Sequence, residues 1–188
     1  MRLFFPLLAL CLTALSGAAP VHAAGLSKGG ASMTLKLESP AFTDNGDMPS
    51  VCTCDGANAS PALAWSGVPL GTESLALIVD DPDAPDPEAP KMTYVHWVLF
   101  NIPPDTAGLP QGVKQLPEGA REGVNDSGRT GYTGPCPPIG VHRYFHKLYA
   151  LDTMLDLKGA PSKHELETAM KEHILAQATL VGHYKRGK

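Results

Sequence analysis

Glycine and proline divide most of this chain into short apolar runs. The 188 residues include 19 glycines and 18 prolines, and most of these lie between the runs rather than within them. Short apolar runs bounded by turn residues are typical of mainly β folds with long loops. Strands are indicated at 33–37, where apolar and polar residues alternate, and at 75–79, 95–102, 145–151 and 178–184. The sequence therefore predicts a mainly β domain.

A single helix is predicted near the C-terminus. Ser162 is a favourable N-cap, and Glu165, three residues later, completes the pattern of a capping box. Apolar residues then recur on one side of an otherwise charged segment, which predicts a helix that packs against a sheet. The residues of this apolar stripe are Leu166, Ala169, Met170, Ile174 and Leu175.

Residues 1–23 have the pattern of a secretory signal peptide. Arg2 supplies a positive charge, the apolar run 3–15 follows, and the small-x-Ala pattern at 21–23 predicts cleavage directly after it. The apolar run is too short to be read as a membrane span. We therefore expect residues 24–188 to form a single domain that is periplasmic or secreted and does not span a membrane.

The charge balance argues against nucleic acid as a partner. The formal net charge is −4 at pH 7, whereas binding to a phosphate backbone needs clustered Lys and Arg side chains. The longest basic cluster, at 185–188, is better explained as a solvated tail. We therefore expect the partner to be something other than nucleic acid.

Three cysteines, Cys52, Cys54 and Cys136, remain after removal of the predicted signal peptide. Export to an oxidising compartment favours a disulfide. Cys52 and Cys54 flank a single threonine, so a bond between these two is disfavoured. The residue pattern therefore predicts that one of them pairs with Cys136, without deciding which, and leaves one thiol over.

Two long segments of biased composition are candidates for a functional site. Segment 80–90 contains five acids and four prolines, and segment 123–140 contains five glycines and three prolines. Long loops inside a compact domain are commonly functional. Asp80, Asp81 and Asp83 directly follow a predicted strand, and in a confined site we expect one of these carboxyl groups to have a raised pKa. The alternative is an exposed, proline-rich turn with solvated acids.

Polar residues within and beside the predicted strands also fit such a site. His96 lies inside the apolar strand 95–102, where a histidine is either a hydrogen-bonded core residue or a functional group. Gly134 allows a ligand to approach the backbone closely. His142 and Tyr144 are two residues apart on a strand and so share one face, and both side chains can donate hydrogen bonds to an anion.

These motifs together resemble the phosphatidylethanolamine-binding protein family, also called Raf-kinase-inhibitor-like. The motifs are Asp-Pro-Asp-Ala-Pro at 81–85, the strand histidine His96, and Gly-Pro-x-Pro-Pro-x-Gly-x-His-Arg-Tyr at 134–144. Shorter motifs are similar to the bacterial YbhB/YbcL-like branch: Asn-Ala-Ser-Pro at 58–61, Trp-Ser-Gly at 65–67, Asn-Asp at 125–126 and Tyr-Ala-Leu-Asp at 149–152. The resemblance covers residues 34–184.

The resemblance implies a Greek-key β-sandwich with a C-terminal helix, few peripheral helices, and a small pocket for phosphate-like or acetate-like anions. The pocket residues that match the family motifs are Asp81, Asp83, His96, Gly134, Pro135, His142 and Tyr144. Tyr94 joins them from its position two residues before His96, where mammalian members have tryptophan. We expect the two histidines to donate to the anion, and an acid such as Asp81 to orient a histidine and raise its pKa.

The resemblance also implies which cysteines are paired. The bacterial branch has one cysteine before Asp-Gly-x-Asn and another within Pro-Cys-Pro-Pro, and these match Cys54 and Cys136. Cys52 departs from the pattern, either as a competitor for Cys136 or as a free thiol.

The function expected from the sequence is non-catalytic binding of a small anion or phosphorylated head group, without a cofactor or a metal. Related proteins are described as modulators of kinases or proteases. One alternative is an extracellular protein-interaction or protease-inhibitor module that uses the proline-rich segment 86–90 as its contact surface. A metal-assisted hydrolase built on the histidines and aspartates is a less favoured alternative.

Overall fold

Two sheets form the part of the chain that is described by a computed structural model, residues 34–187. The strands are β1 Lys36–Glu38, β2 Gly46–Asp47, β3 Leu63–Ser66, β4 Ser74–Ala84, β5 Met92–Ile102, β6 Gly108–Leu109, β7 Arg121–Glu122, β8 His142–Leu151 and β9 Ile174–Tyr184. The small sheet has the order β1-β3-β6, and the large sheet has the order β2-β9-β8-β4-β5-β7. The mainly β prediction is confirmed. The predicted signal peptide and the first residue of the predicted strand 33–37 lie outside the described residues.

The main hydrophobic core lies between the two sheets. Leu37 and Trp65 of the small sheet are buried in one cluster with Leu77, Trp97 and Leu148 of the large sheet. In β3 the burial alternates along the strand, as expected when one face of a sheet is packed and the other meets solvent. The small sheet thus covers one face of the large sheet.

A single α-helix within residues 34–187, α1 Lys163–Met170, covers the other face of the large sheet. Leu166 and Met170 pack there against Ile78, Val98 and Phe100. The central strands are therefore buried on both faces, which explains why they appear as continuous apolar runs in the sequence. No helix in the described part of the chain is long and apolar enough to cross a membrane.

The helix begins as predicted but is shorter than the apolar stripe indicated. Ser162 Oγ accepts from the Glu165 backbone N–H at 3.3 Å, and the Glu165 carboxylate accepts from the Ser162 N–H at 2.8 Å. The stripe, however, ends at Met170, because Ile174 pairs with Leu151 and begins β9. Pairing with the free edge of β8 outweighs helical periodicity here.

The first predicted loop is also shorter than segment 80–90. Strand β4 continues through Ala84, so its acidic residues belong to the strand, and the connection to β5 covers only residues 85–91. A bulge makes this extension possible. Asp81 pairs with Tyr94 and Ala84 with Met92, so β4 has one extra residue, and Pro82 lies in the irregular stretch where no ladder hydrogen bond is needed.

Candidate functional site

The site is formed where one end of β4, β5 and β8 comes together. Asp81 lies near the end of β4, Tyr94 and His96 lie at the start of β5, and His142 and Tyr144 lie at the start of β8. Because β4 is the middle strand of the three and antiparallel to both neighbours, its end meets their beginnings. The topology thus brings together residues that are separated by up to 63 positions in the sequence.

A second bulge explains how a histidine inside an apolar strand reaches this site. Val79 of β4 pairs with Trp97 and Asp80 pairs with Val95, so His96 has no partner of its own across the ladder. Bulges reorient a side chain relative to its neighbours. The His96 ring consequently packs against Tyr94, with ring centroids 4.9 Å apart, and against the Tyr144 ring, 5.2 Å away.

A cavity of about 280 Å³ lies at this end of the strands. Six of the eight residues predicted for the site line it: Asp81, Tyr94, His96, Gly134, His142 and Tyr144. Asp83 and Pro135 do not line it. The sequence reasoning missed the apolar part of the wall, which consists of Ala84, Pro85, Met92, Pro137 and Pro138, together with Thr133 and Cys136. All of these lie within three positions of a predicted site residue, so their proximity in sequence was the available signal.

His142 is held between two acceptors. Its Nδ1 is 2.7 Å from Oδ2 of Asp81, and its Nε2 is 3.1 Å from the Ile139 carbonyl oxygen. Since carboxylate and carbonyl oxygens both accept, hydrogen bonds to both at once require the protonated ring. Asp81 thus orients the His142 ring. Both ring nitrogens of His142 already lie against protein oxygen atoms, so neither is left over for a ligand.

The two ring nitrogens of His96 differ in their hydrogen-bonding roles from what was expected. Its Nδ1 is 2.6 Å from the Thr133 carbonyl oxygen and must therefore donate. Its Nε2 is buried and has no partner within the described residues. Burial lowers the pKa of His96, so the neutral ring carries a lone pair on Nε2. His96 can therefore donate from Nε2 to an anion, as expected, only when the ring takes up a proton.

The Tyr144 hydroxyl is the second buried group without a partner at the site. The residue is only 1% exposed, and its hydroxyl has no hydrogen-bond partner within residues 34–187. Burial raises the pKa of Tyr144, so the hydroxyl keeps its proton and acts as a donor. His96 and Tyr144, which both line the cavity, thus each have one buried polar atom without a partner in the described residues, an acceptor and a donor respectively.

The three aspartates Asp80, Asp81 and Asp83 do not share a confined site. Asp80 accepts from Lys147 at 2.8 Å and from Lys163 at 2.5 Å, away from the cavity. Asp83 accepts three hydrogen bonds from Arg143, two from the guanidinium and one from its backbone N–H. Arg143 lowers the pKa of Asp83, so Asp83 is not the aspartate with the raised pKa that was expected among the three.

Gly134 is required for a reason other than ligand access. A Cβ atom at this position would lie 2.5 Å from the Cys52 carbonyl oxygen, and the Gly134 N–H donates to Oδ1 of Asn58 at 2.7 Å. The glycine therefore lets two backbone segments pack closely. Pro135 acts at the same junction, where its carbonyl accepts from the Cys54 N–H at 3.0 Å.

A disulfide joins the same two segments in the structure. The sulfur atoms of Cys54 and Cys136 are bonded, with their Cα atoms 5.4 Å apart. Cys52 is a buried free thiol, and desolvation raises its pKa. The wall of the cavity that contains Cys136 is thereby tied to the segment around Cys54.

The histidine spacing on β8 does not make a metal site. His142 and His146 are four residues apart, as in some zinc motifs, but those motifs use a helix and β8 is a strand. No group of three or more His, Cys, Asp or Glu side chains among the described residues could hold a metal ion.

Comparison with known proteins agrees with this fold. The family model named phosphatidylethanolamine-binding protein matches residues 38–185. A UPF0098 protein of Methanothermobacter thermautotrophicus is 54% identical over 156 residues, which cover 81% of this chain and 100% of the relative. The chain belongs to the phosphatidylethanolamine-binding protein family.

Two solved structures are similar to the whole domain. A phosphatidylethanolamine-binding protein homologue of Chlamydia trachomatis, CT736, is 38% identical, with a TM-score of 0.77 over 83% of this chain and 100% of its own. Escherichia coli YbcL, described as a new member of the mammalian family, is 31% identical, with a TM-score of 0.74 over 81% of this chain and 99% of its own. The family and the mainly β fold predicted from the motifs are confirmed, and the match to YbcL fits the bacterial branch.

Proposed function

We propose that this protein binds a small phosphate-like anion, or the phosphorylated head group of a larger molecule, without turning it over. The observation that carries the proposal is the pair of buried polar atoms on one cavity, His96 Nε2 and Tyr144 Oη, that lack partners within residues 34–187. An unsatisfied buried polar atom costs roughly 1–3 kcal/mol. A ligand that hydrogen-bonds to both groups removes that cost, and the free energy regained favours binding.

An anion fits these two groups when one proton accompanies it. The Tyr144 hydroxyl donates to one ligand oxygen. His96 Nε2 hydrogen-bonds to a second oxygen either because the ring takes up a proton or because the ligand is a protonated phosphate monoanion. In both cases the complex holds one proton between Nε2 and the ligand, and the hydrogen bonds are charge-assisted.

His142 and Asp81 support the site by balancing charge. His142 Nδ1 lies 2.7 Å from the Asp81 carboxylate, which would otherwise repel an anion in the same cavity. The ring lies parallel to that of Tyr144, with centroids 6.4 Å apart and planes at 20°. His142 thus acts mainly by positioning and by charge, whereas the direct contacts come from His96 and Tyr144.

The apolar wall determines the kind of anion. Pro85, Met92, Pro137 and Pro138 surround the polar groups with surface that cannot hydrogen-bond. Low local polarity strengthens the few hydrogen bonds that are made. The volume of about 280 Å³ lies just below the usual range for drug-sized ligands, so a single phosphate or a short head group suits it. We further propose that, if the protein modulates a kinase or protease, an anionic side chain of that partner binds in the same cavity.

We further propose that the protein is exported to the periplasm or secreted. The pattern at residues 1–23 supports export, and the bond between Cys54 and Cys136 suits an oxidising compartment. Mass spectrometry of the protein from the periplasm or the culture medium should find a chain that starts at residue 24. An intact N-terminus on cytosolic protein would contradict this.

Calorimetric titration with phosphate and phosphoethanolamine tests the binding proposal. Wild-type protein should bind saturably, and Tyr144→Phe should bind at least about tenfold more weakly, since a hydrogen bond to a charged group contributes about 1.5–3 kcal/mol. Tyr149→Phe is the matched control, because Tyr149 lies on the same strand but packs in the cluster on the opposite face of the sheet. Equal affinities of wild type and Tyr144→Phe would refute the proposal.

A further inference from the structure

A second cavity, of about 270 Å³, adjoins the same loop but involves none of the residues that carry the anion proposal. It is lined by Gly131 and Tyr132, whereas the first cavity is lined by the next two residues, Thr133 and Gly134. The other residues that matter for its chemistry are Ser60, Trp97, Lys114 and Glu122. The family motifs assign no role to this cavity.

Two opposite charges line this second cavity without neutralising each other. The Glu122 carboxylate accepts a hydrogen bond from the Trp97 indole N–H at 3.1 Å through Oε1. Neither Glu122 nor Lys114 forms a salt bridge, with each other or with any other side chain in residues 34–187. The indole fixes the carboxylate in place, while Lys114 is exposed and free to move toward a ligand.

A buried hydroxyl and an aromatic wall complete the second cavity. Ser60 is 4% exposed, and its Oγ has no partner in the described part of the chain. Trp97 and Tyr132 form one side, with their rings edge to face and centroids 5.7 Å apart. The Tyr132 hydroxyl donates to the Cys52 carbonyl oxygen at 2.9 Å, which fixes that ring. The cavity therefore has an aromatic side fixed by hydrogen bonds, one buried hydroxyl without a partner within residues 34–187, and one side chain of each charge.

We propose that the second cavity binds a small zwitterion of the size of an α-amino acid. The ligand ammonium pairs with Glu122, and the ligand carboxylate pairs with Lys114. A hydroxyl on the ligand hydrogen-bonds to Ser60. A zwitterion fits better than a simple cation or anion, because either of those would leave one of the two protein charges unpaired beside it.

Titration with glycine and L-serine, followed by calorimetry and by the Trp97 indole N–H signal in NMR spectra, tests this proposal. Both probes should shift that signal saturably. Glu122→Gln, which keeps an oxygen for the indole, and Lys114→Gln should each weaken binding about fivefold, as expected for the loss of one partly exposed ion pair. Glu118→Gln is the control, since Glu118 is exposed in the same region but does not line the cavity.

Ligands with a single charge test whether the second cavity prefers a zwitterion. Methylammonium and acetate should each affect the Trp97 signal at least fivefold more weakly than glycine, for the same loss of one ion pair. Methylammonium binding as tightly as glycine would overturn the assignment, and so would a Trp97 signal that does not respond to either amino acid. Because Lys114 is exposed, Lys114→Gln keeps the test valid even where Glu122→Gln unfolds.

Discussion

A buried histidine in the main core should make this protein sensitive to mild acid. His146 lies on β8 and is fully buried, with its ring centroid 5.5 Å from that of Phe42. Its Nδ1 is 3.2 Å from the Tyr144 carbonyl oxygen, and its Nε2 has no partner within the described residues. The charged form of the ring is disfavoured in these surroundings, and burial lowers the pKa of His146 from 6.5 to about 4.

The size of the effect follows from that pKa. Between pH 6.5 and about 4 the unfolded chain binds a proton at this residue and the folded protein does not, so stability is complete above pH 6.5 and falls as the pH falls through this window. At about 1.4 kcal/mol per pH unit, the full loss is about 3 kcal/mol. Burial also lowers the pKa of His96, so its contribution has the same sign.

Urea unfolding at pH 7.5, 6, 5 and 4.5, followed by tryptophan fluorescence, measures this loss. His146→Leu should remove most of the dependence on pH between 7.5 and 4.5, because an apolar side chain has no proton to gain. Leu148→Ala, a core position on the same face of β8, should destabilise at every pH by about 2–5 kcal/mol and keep the wild-type slope. A His146→Leu variant that loses stability with acid as steeply as the wild type would refute the reasoning.

Three further predictions concern the structure around the site. Replacing both Cys54 and Cys136 by serine should cost about 4 kcal/mol in urea unfolding, since the bond closes a loop with a sequence separation of 82; a midpoint insensitive to the change, or to reducing agent, would contradict the pairing. Gly134→Ala should destabilise by about 1–3 kcal/mol, because its Cβ collides with the Cys52 carbonyl, and an unchanged melting temperature would contradict this. Ser162→Ala should cost about 1 kcal/mol through loss of the helix cap, and helix signals in hydrogen exchange should report it.

The fold was largely predictable where local pattern and burial agree. The central strands are buried on both faces, so their apolar runs were recognisable, and the capping box at Ser162 located the start of α1. The boundaries that failed depend on distant partners. Ile174 follows the helical spacing, yet it joins β9 because the edge of β8 is available for pairing. Pro82 falls within the predicted loop segment 80–90, but a bulge lets β4 continue past it.

The site was predictable as a set of residues but not as chemistry. The family motifs indicated His96, His142 and Tyr144, and all three line one cavity. Their hydrogen-bonding roles depend on contacts that no motif contains. Thr133 fixes the tautomer of His96 from 37 positions away, and the Ile139 carbonyl occupies the second nitrogen of His142. Sequence alone therefore could not show that the Tyr144 hydroxyl lacks a hydrogen-bond partner within residues 34–187, or that Nδ1 is the donating nitrogen of His96.

The most direct test of an anion held by Tyr144 and a proton-carrying His96 is the uptake of protons on binding. At pH 8 both a phosphomonoester, whose second pKa is about 6, and His96, whose pKa is lowered by burial, are unprotonated. Calorimetric titration of phosphoethanolamine at pH 8, in two buffers with different ionisation enthalpies, should show about one proton taken up per ligand bound, and affinity should fall about tenfold per pH unit above pH 7. Saturable binding without proton uptake would contradict this mode of binding, and no binding at all would contradict the anion site itself.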